Sequence, residues 1–144
     1  MRAALAEIVE EFADADRQER LQLLLEYGQA LPALPQRLQG DSAAALERVV
    51  ECQSPLFVGV EVGDDRRVAL HFDAPREAPT TRGFAGILHA GLDGATVDEV
   101  LSTPAEVVAE LRLMEVVSPL RIGGMAAMLA RIKRLVVERA GASA

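Results

Sequence analysis

The chain opens with apolar residues spaced three or four positions apart, which is the spacing of one face of an α-helix. They are Leu5, Ile8, Val9 and Phe12. Asp16 and Glu19 then have the spacing of a capping box, in which two side chains close the start of a helix. This second predicted helix ends near Leu31, because Pro32 disfavours helical geometry in the residue before it. Residues 32–45 predict a loop.

The middle of the chain alternates apolar and polar residues, as half-buried β-strands do. Residues 58–62 and 68–72 both alternate in this way, and the turn-forming segment 63–66 lies between them. This pattern predicts a β-hairpin. A short strand near residues 47–50 extends the prediction to three antiparallel strands.

From Thr81 onward the apolar residues return to helical spacing. Three sites there have the residue types that begin helices: Thr96 with Glu99, Thr103 with Glu106, and Ser118 followed by Pro119. Helices, a small antiparallel sheet and further helices predict an α+β fold, with the helices packed on one face of the sheet. Residues 1–144 contain no linker or internal repeat, which predicts one domain.

The charge balance argues against one class of function. The chain has 144 residues and a formal net charge of −7, whereas a nucleic-acid binder needs a basic face for phosphate contacts. We therefore expect no nucleic-acid partner. The basic residues that do cluster are Arg131, Lys133, Arg134 and Arg139. They fit either the solvated face of the last helix or a patch for an acidic protein partner.

The sequence also bears on the compartment. No apolar run is long enough for a signal peptide or for a membrane-spanning helix. A single cysteine excludes an internal disulfide and fits a reducing environment. We therefore expect a cytoplasmic protein that has no membrane partner.

Cys52 is the single thiol and the first candidate for chemistry. It lies between two predicted strands, and Pro55 interrupts strand pairing just after it. The thiol is therefore expected on a loop or strand end, where a partner can reach it. Cysteine acts as a nucleophile only in its thiolate form. Spacing alone leaves open a second interpretation, in which Cys52 is a small buried hydrophobic residue.

Two charged residues are further candidates. Arg121 falls in the first turn of the last predicted helix, where a cation opposes the helix dipole. Such a local misfit indicates either a role beside an anionic thiolate or persulfide, or a salt bridge to Glu51 or Glu77. Glu77 and Arg82 flank the entry to another predicted helix, and a structured loop is the alternative interpretation of that segment.

His71 and His89 are the remaining candidates for metal ligands. Neither has ligand spacing with the other or with Cys52, and a zinc site needs about four ligands. The pair Gly123 and Gly124 lies inside a helical pattern and is too short for a phosphate-binding loop. We expect no metal and no cofactor.

Four segments resemble, in the same order, the motifs of the SufE family of iron–sulfur cluster assembly proteins. Leu31–Pro35 resembles the family's LP-x-LP segment, Cys52–Ser54 its GCQS cysteine loop, Arg82–Leu88 its KGL-x-A helix start, and Ser118–Met125 its TPSR-x-x-GL segment. The resemblance covers residues 5–137, which is nearly the whole chain.

This resemblance implies a sulfur carrier. Family members accept persulfide sulfur from a pyridoxal-phosphate-dependent cysteine desulfurase, stimulate that enzyme, and pass the sulfur to an iron–sulfur scaffold protein. Their fold is α+β and similar to that of IscU-type scaffold proteins. Carried over by position, Cys52 is the acceptor, Arg121 the arginine near the cysteine loop, and Glu77 a carboxylate before a helix entry. Such a carrier is an accessory protein rather than a stand-alone enzyme, and we expect a monomer or a homodimer.

One position beside the thiol departs from the family's motif. Glu51 stands where the family usually has glycine. Glycine permits backbone conformations that glutamate adopts only at a cost, so the loop shape is expected to differ. A carboxylate next to Cys52 is also expected to raise the pKa of the thiol rather than to lower it.

Two other functions stay open from the sequence. Sulfur transfer needs only one accessible thiolate, which attacks the sulfur of a persulfide. A cluster scaffold of the same fold would instead need several Cys or His ligands around one site. A regulatory module would bind the desulfurase without carrying sulfur, and replacing Cys52 with Ser would then leave the stimulation of the enzyme intact.

Overall fold

The computed structural model describes residues 1–39 and 46–143. The helices are α1 (Ala3–Asp14), α2 (Arg17–Gln29), α3 (Pro79–Leu92), α4 (Val97–Leu101), α5 (Val107–Glu110) and α6 (Pro119–Ser143). The strands are β1 (Glu47–Arg48), β2 (Phe57–Val62) and β3 (Val68–Asp73). This order of helices, sheet and helices confirms the predicted α+β fold. Residues 40–45 of the predicted loop lie outside the described residues.

The three strands pair antiparallel in the order β1-β2-β3. Strands β2 and β3 pair along their whole length, which confirms the predicted hairpin. Strand β1 is shorter than the predicted strand 47–50, because the chain leaves the sheet at Val50 and forms a 3₁₀ turn that ends at Cys52. The single cysteine of the sequence therefore lies in the connection that leads into the central strand β2.

One face of the sheet is buried beneath α3 and α6. The buried strand residues are Val58, Val60, Val68, Leu70 and Phe72. Helix α6 packs along β2 and α3 along β3. Fully buried side chains of the two helices include Phe84, Ile87, Met125 and Met128. No helix in the described parts of the chain is both long enough and apolar enough to cross a bilayer, and the apolar faces of α3 and α6 are used in this core.

Helices α2 and α3 approach each other until their backbones touch. A Cβ atom on Gly86 would overlap the carbonyl oxygen of Tyr27 and lie 2.5 Å from the carbonyl carbon of that residue. A Cβ atom on Gly83 would likewise lie 2.5 Å from the carbonyl oxygen of Leu24. Because a close-packed interior leaves no room for an added atom at such distances, glycine sets the spacing of this helix pair.

Two predicted capping boxes are confirmed. Asp16 Oδ1 accepts the Glu19 N–H at 2.8 Å, and the Glu19 side chain accepts the Asp16 N–H in return. Thr96 Oγ1 accepts the Glu99 N–H at 3.1 Å with the same reciprocal bond. The last helix begins at Pro119, as predicted from the Ser-Pro pair before it.

The third predicted capping box, Thr103 with Glu106, is wrong. Thr103 is buried, and its hydroxyl donates to the Glu99 carbonyl oxygen at 2.9 Å. The hydroxyl thus satisfies the end of α4 rather than the start of a new helix. Helix α5 begins later, at Val107, without a side-chain cap.

The other face of the sheet carries an ion network centred on Glu61. Both carboxylate oxygens of Glu61 accept from the Arg37 guanidinium at 2.6 Å, and Glu61 Oε1 lies 2.7 Å from His71 Nε2. The hydrogen bonds from Arg37 come first among the causes that lower the pKa of Glu61 to about 2. The network ties the segment that holds Arg37 to strands β2 and β3.

Replacement of this carboxylate, Glu61→Gln, is expected to make unfolding less dependent on acid. The pKa of Glu61 is lowered in the folded state, so its stabilisation is fully present above the ordinary pKa of about 4.3. It is lost as the pH falls toward 2. Because the Glu61 side chain is 43% exposed, we expect a difference of about 1 kcal/mol or less at neutral pH. Urea unfolding between pH 7 and about 2.5 measures it, and a difference that stays constant with pH would contradict this account.

Candidate functional site

The candidate site is built on the turn that joins β1 to β2, which we call the Cys52 turn (residues 50–54). The N–H of Cys52 donates to the Val49 carbonyl oxygen at 3.1 Å. Gln53 then takes the left-handed conformation, with φ 61°, which costs free energy unless the surrounding structure holds it. The Ser54 N–H closes the turn onto the Cys52 carbonyl oxygen at 2.6 Å. The thiol thus lies on a turn between two strands, as predicted.

The Cys52 turn packs against α6 at Gly124. The Cys52 thiol donates weakly to the Gly124 carbonyl oxygen, with an Sγ–O distance of 3.5 Å, and the side chain is half-buried. A Cβ atom on Gly124 would lie 3.2 Å from Sγ and 3.3 Å from Cα of Cys52. Glycine therefore makes room for the thiol on this helix. The contact was not predicted from the sequence, although a glycine inside a helical pattern is a signal of close approach.

The environment of Cys52 disfavours the thiolate. Burial, and after it the negative charge of Glu51, raises the pKa of the Cys52 thiol to about 11. The positive charge of Arg131 acts in the opposite direction but does not cancel them. The expected effect of a carboxylate at position 51 is confirmed in its direction. At neutral pH the resting thiol is protonated and therefore weakly nucleophilic.

An ion network links the Cys52 turn to α6. Glu51 Oε1 accepts from two nitrogens of Arg131, Nη2 at 2.9 Å and Nε at 3.2 Å. The same guanidinium reaches Glu47 Oε2 at 2.7 Å. Arg134 forms an ion pair with Glu47 and a second one with Glu138 at 2.7 Å. Arg131 is therefore held from both sides by carboxylates, one of them adjacent to Cys52.

This network gives the basic cluster an intramolecular role, which differs from both interpretations drawn from the sequence. Arg131 and Arg134 are paired with carboxylates of the same chain. The ammonium group of Lys133 donates to the Thr103 carbonyl oxygen. Since these charges are already neutralised or hydrogen-bonded, they offer little to an acidic partner.

Arg121 lies in the first turn of α6, three residues before Gly124 and therefore on the same side of the helix. Its N–H donates to the Ser118 carbonyl oxygen at 3.1 Å. Its side chain is exposed and, within the described residues, forms no hydrogen bond or ion pair. The alternative salt bridge to Glu51 is not formed, because Glu51 pairs with Arg131. The cation that acts on the thiol is Arg131, which was not predicted from the sequence as a site residue.

Glu77 lies in the connection between β3 and α3. Its side chain is exposed and has no hydrogen bond or ion pair with the described residues. Arg82 nearby has a clear structural role, since its guanidinium donates to the carbonyl oxygens of Ala74 at 2.8 Å and Gly28 at 3.0 Å. Arg82 therefore has a structural role, but from within α3 rather than from a loop, while the structure draws Glu77 into no contact with Cys52.

The two histidines lie away from the thiol. His71 belongs to the Glu61 network, and the His89 ring packs edge-on against Phe72 with a centroid distance of 6.5 Å. Across residues 1–39 and 46–143, no three His, Cys, Asp or Glu side chains are grouped so that they could hold a metal ion.

Exposed apolar side chains lie on the two elements that hold the thiol, the Cys52 turn and α6. Val50, in the Cys52 turn, is 61% exposed, and Leu120 in the first turn of α6 is 60% exposed. Leu120 lies four residues before Gly124, which places it on the helix side that faces the turn. A half-buried thiol with exposed apolar side chains on these two elements is a suitable contact for another protein. Neither residue was predicted from the sequence as part of the site.

A comparison with known proteins matches the chain to one family model over most of its length. The model is that of SufE, described as an Fe-S metabolism associated domain, and it matches residues 6–136. This range contains the Cys52 turn, Gly124 and Arg131.

Relatives and a solved structure agree with this match. An uncharacterized SufE-like protein of Mycobacterium tuberculosis (strain H37Rv) is 54% identical over 136 residues, which cover 94% of this chain and 93% of the relative. An uncharacterized SufE-like protein of Rhizobium etli is 27% identical over 143 residues, covering 97% and 94%. The solution structure of a hypothetical protein from Thermus thermophilus superposes with a TM-score of 0.85 at 35% identity and covers 98% of both chains.

Proposed function

This chain belongs to the SufE family, and on that premise we propose that Cys52 accepts persulfide sulfur from a cysteine desulfurase and carries it to an iron–sulfur cluster scaffold. The observation that carries the proposal is the placement of the single thiol. It is half-buried on a turn that packs on Gly124, and both the turn and α6 carry exposed apolar side chains. A donor protein can cover such a thiol while sulfur is transferred.

The transfer itself is an exchange at sulfur. The thiolate of Cys52 attacks the terminal sulfur of the donor's cysteine persulfide, and a new S–S bond forms at Cys52 as the donor's S–S bond breaks. The donor cysteine leaves as a thiolate. The proton released from Cys52 neutralises that thiolate or passes to solvent, so no external oxidant or reductant is needed. Removal of the persulfide frees the donor for another turnover, which is how the acceptor would stimulate the desulfurase.

The resting state suits a carrier that reacts only with its partner. Because the pKa of Cys52 is raised to about 11, the free protein resists oxidation and chance alkylation at neutral pH. A docked donor would have to move the Cys52 turn to reach the sulfur, as lids and loops move in other transfer reactions. Because the sequence contains no second cysteine, no neighbouring thiol of the same chain can release the bound sulfur as sulfide. We place this chemistry in the cytoplasm, where thiols stay reduced.

One observation favours a second candidate function. A thiol that is half-buried and protonated at neutral pH is also what a purely structural cysteine looks like. In that case the chain would regulate a desulfurase through its surface and would not carry sulfur.

Intact-protein mass spectrometry after incubation with a purified pyridoxal-phosphate-dependent cysteine desulfurase and free L-cysteine separates the two functions. We expect the mass to rise by one sulfur atom, the gain to disappear on treatment with dithiothreitol, and Cys52→Ser to show no gain. The same mixtures give the desulfurase rate. If Cys52→Ser still stimulates the desulfurase as the parent protein does and neither gains sulfur, the regulatory function replaces the carrier. If the parent protein neither gains sulfur nor stimulates, both proposals are wrong.

A further inference from the structure

The Cys52 turn is fixed to α6 at two points. One is the contact with Gly124, whose carbonyl oxygen lies 3.5 Å from Cys52 Sγ. The other is the ion pair between Glu51 and Arg131, with N–O distances of 2.9 and 3.2 Å. Arg131 lies seven residues after Gly124, which is two turns further along the same face of the helix. The two points therefore hold the turn along one line on α6.

We propose that the Glu51–Arg131 ion pair is a latch that holds the Cys52 turn closed against α6, and that Arg131 is a positioning residue for the thiol. The inference rests on the proposed function only for its purpose, since the latch would keep the sulfur acceptor covered until a donor docks. Its geometry is independent of that function.

The position of Glu51 in the chain gives the latch its leverage. Glu51 directly precedes Cys52, so holding its side chain fixes the backbone that carries the thiol. Its carboxylate accepts from two nitrogens of a single guanidinium, which restricts its orientation more than one bond does. Opening the turn must break this pair or pull Arg131 away from it.

Arg131 is itself anchored, so the latch has a firm end. Its Nη1 donates to Glu47 at 2.7 Å, and Glu47 belongs to β1, where the chain enters the turn. Arg134, on the next turn of α6, also pairs with Glu47. The Arg131 side chain is only 23% exposed. Its guanidinium therefore stays in place when the ion pair with Glu51 breaks.

The Glu51–Arg131 pair can hold the turn in place and can also shift the pKa of the thiol. The opposite charges of its two members allow these roles to be separated. The charged groups on β1, the Cys52 turn and α6 include Glu47, Arg48, Glu51, Arg121, Arg131, Lys133, Arg134, Glu138 and Arg139. The charges that act on the thiol are those of Glu51, which raises its pKa, and Arg131, which lowers it. Removing the charge at position 51 takes away an anion, whereas removing the charge at position 131 takes away a cation. Through their charges alone, the two changes therefore act on the pKa of Cys52 in opposite directions. Both nevertheless break the same ion pair and free the same turn.

The test compares Glu51→Gln and Arg131→Gln in the full chain without any partner protein. The reaction of Cys52 with iodoacetamide is followed from pH 7 to 10, and the pKa of the thiol is measured by NMR on ¹³Cβ-labelled cysteine. Dividing the observed rate by the thiolate fraction gives the rate constant of the thiolate itself. We expect that constant to rise about threefold in both variants, the size of a weak to moderate ion pair. The pKa should fall in Glu51→Gln, where the lost anion and the greater exposure both lower it, and should stay higher in Arg131→Gln, where the lost cation opposes that fall.

Two further variants serve as controls. Arg134→Gln removes the neighbouring ion pair with Glu47 but leaves the Glu51 pair, so the thiolate rate constant should stay at the parent value. Arg131→Lys keeps a cation between Glu51 and Glu47, so its thiolate rate constant should lie closer to the parent value than that of Arg131→Gln. If position 131 acted on the thiol only through its charge, Arg131→Lys and Arg131→Gln would differ in the pKa of Cys52 but not in the thiolate rate constant.

An unchanged thiolate rate constant in both single variants, with only the pKa shifted, would overturn the latch. A rise in Arg134→Gln as large as in Arg131→Gln would overturn it as well, because the effect would then belong to general loosening of α6. The alkylation readout needs no desulfurase, so the latch stands or falls separately from the persulfide test. A negative persulfide result with a positive latch result would reject the carrier function alone.

Discussion

Gly86→Ala is expected to destabilise the protein by about 3 kcal/mol, the upper end of what an added methyl group does to a packed core. The new Cβ atom would overlap the carbonyl oxygen of Tyr27 and stand 2.5 Å from its carbonyl carbon. These are backbone atoms of α2, which cannot rotate away as a side chain can. The helices α2 and α3 would have to separate, and the contacts of Gly83 with Leu24 would be lost with them.

Urea unfolding monitored by circular dichroism measures this loss, and Gly123→Ala is the matched control. Position 123 also lies inside a helix, and a Cβ atom there meets nothing within 4 Å. The control should gain up to about 1 kcal/mol, because alanine is the better helix former. If Gly86→Ala is no less stable than the control, the close approach of the two helices does not hold them together.

The fold was predictable wherever the residue pattern is local. The alternation along 58–62 and 68–72 fixes which side chains face the core, and the short turn between them fixes the pairing, so the hairpin came out as predicted. The length of strand β1 was overestimated, because Val50 is a residue type that strands favour. In the structure it lies on the turn and is 61% exposed. Where the chain must turn back depends on what packs against it, which β-propensity does not contain.

The candidate site was predictable only in part, for a similar reason. Cys52 could be found because it is the single thiol and lies in a recognisable segment. Arg131 could not, since its partner Glu51 is 80 residues away in the sequence and the pair forms only when α6 packs on the sheet. The sequence shows Arg131 only as one member of a basic cluster, whereas the folded chain pairs it with carboxylates. The direction in which Glu51 shifts the pKa of Cys52 was nevertheless predicted, because the charge of an adjacent residue lies close to the thiol in any fold.

Gly124→Val is the change with the largest expected effect on the thiol. Even a Cβ atom at this position would lie 3.2 Å from Sγ and 3.4 Å from the Glu51 carbonyl oxygen, and valine adds two methyl groups beyond it. The Cys52 turn must therefore move off α6 and expose its thiol. Burial is the first cause of the raised pKa, which is about 11, so exposure returns the pKa toward its ordinary value of about 8.5.

We expect the alkylation of Cys52 by iodoacetamide at pH 8 to become about tenfold faster in Gly124→Val, since one unit of pKa changes the thiolate fraction tenfold below the pKa. A larger factor is not expected, because the thiol is already half-exposed and the charge of Glu51 remains. Gly123→Val adds the same side chain one residue away, in open space, and should leave the rate unchanged. An equal rate in both variants would mean that the thiol does not rest on Gly124. A faster rate in Gly124→Val alone would show that packing against Gly124 of α6 keeps the reactivity of the Cys52 thiol low.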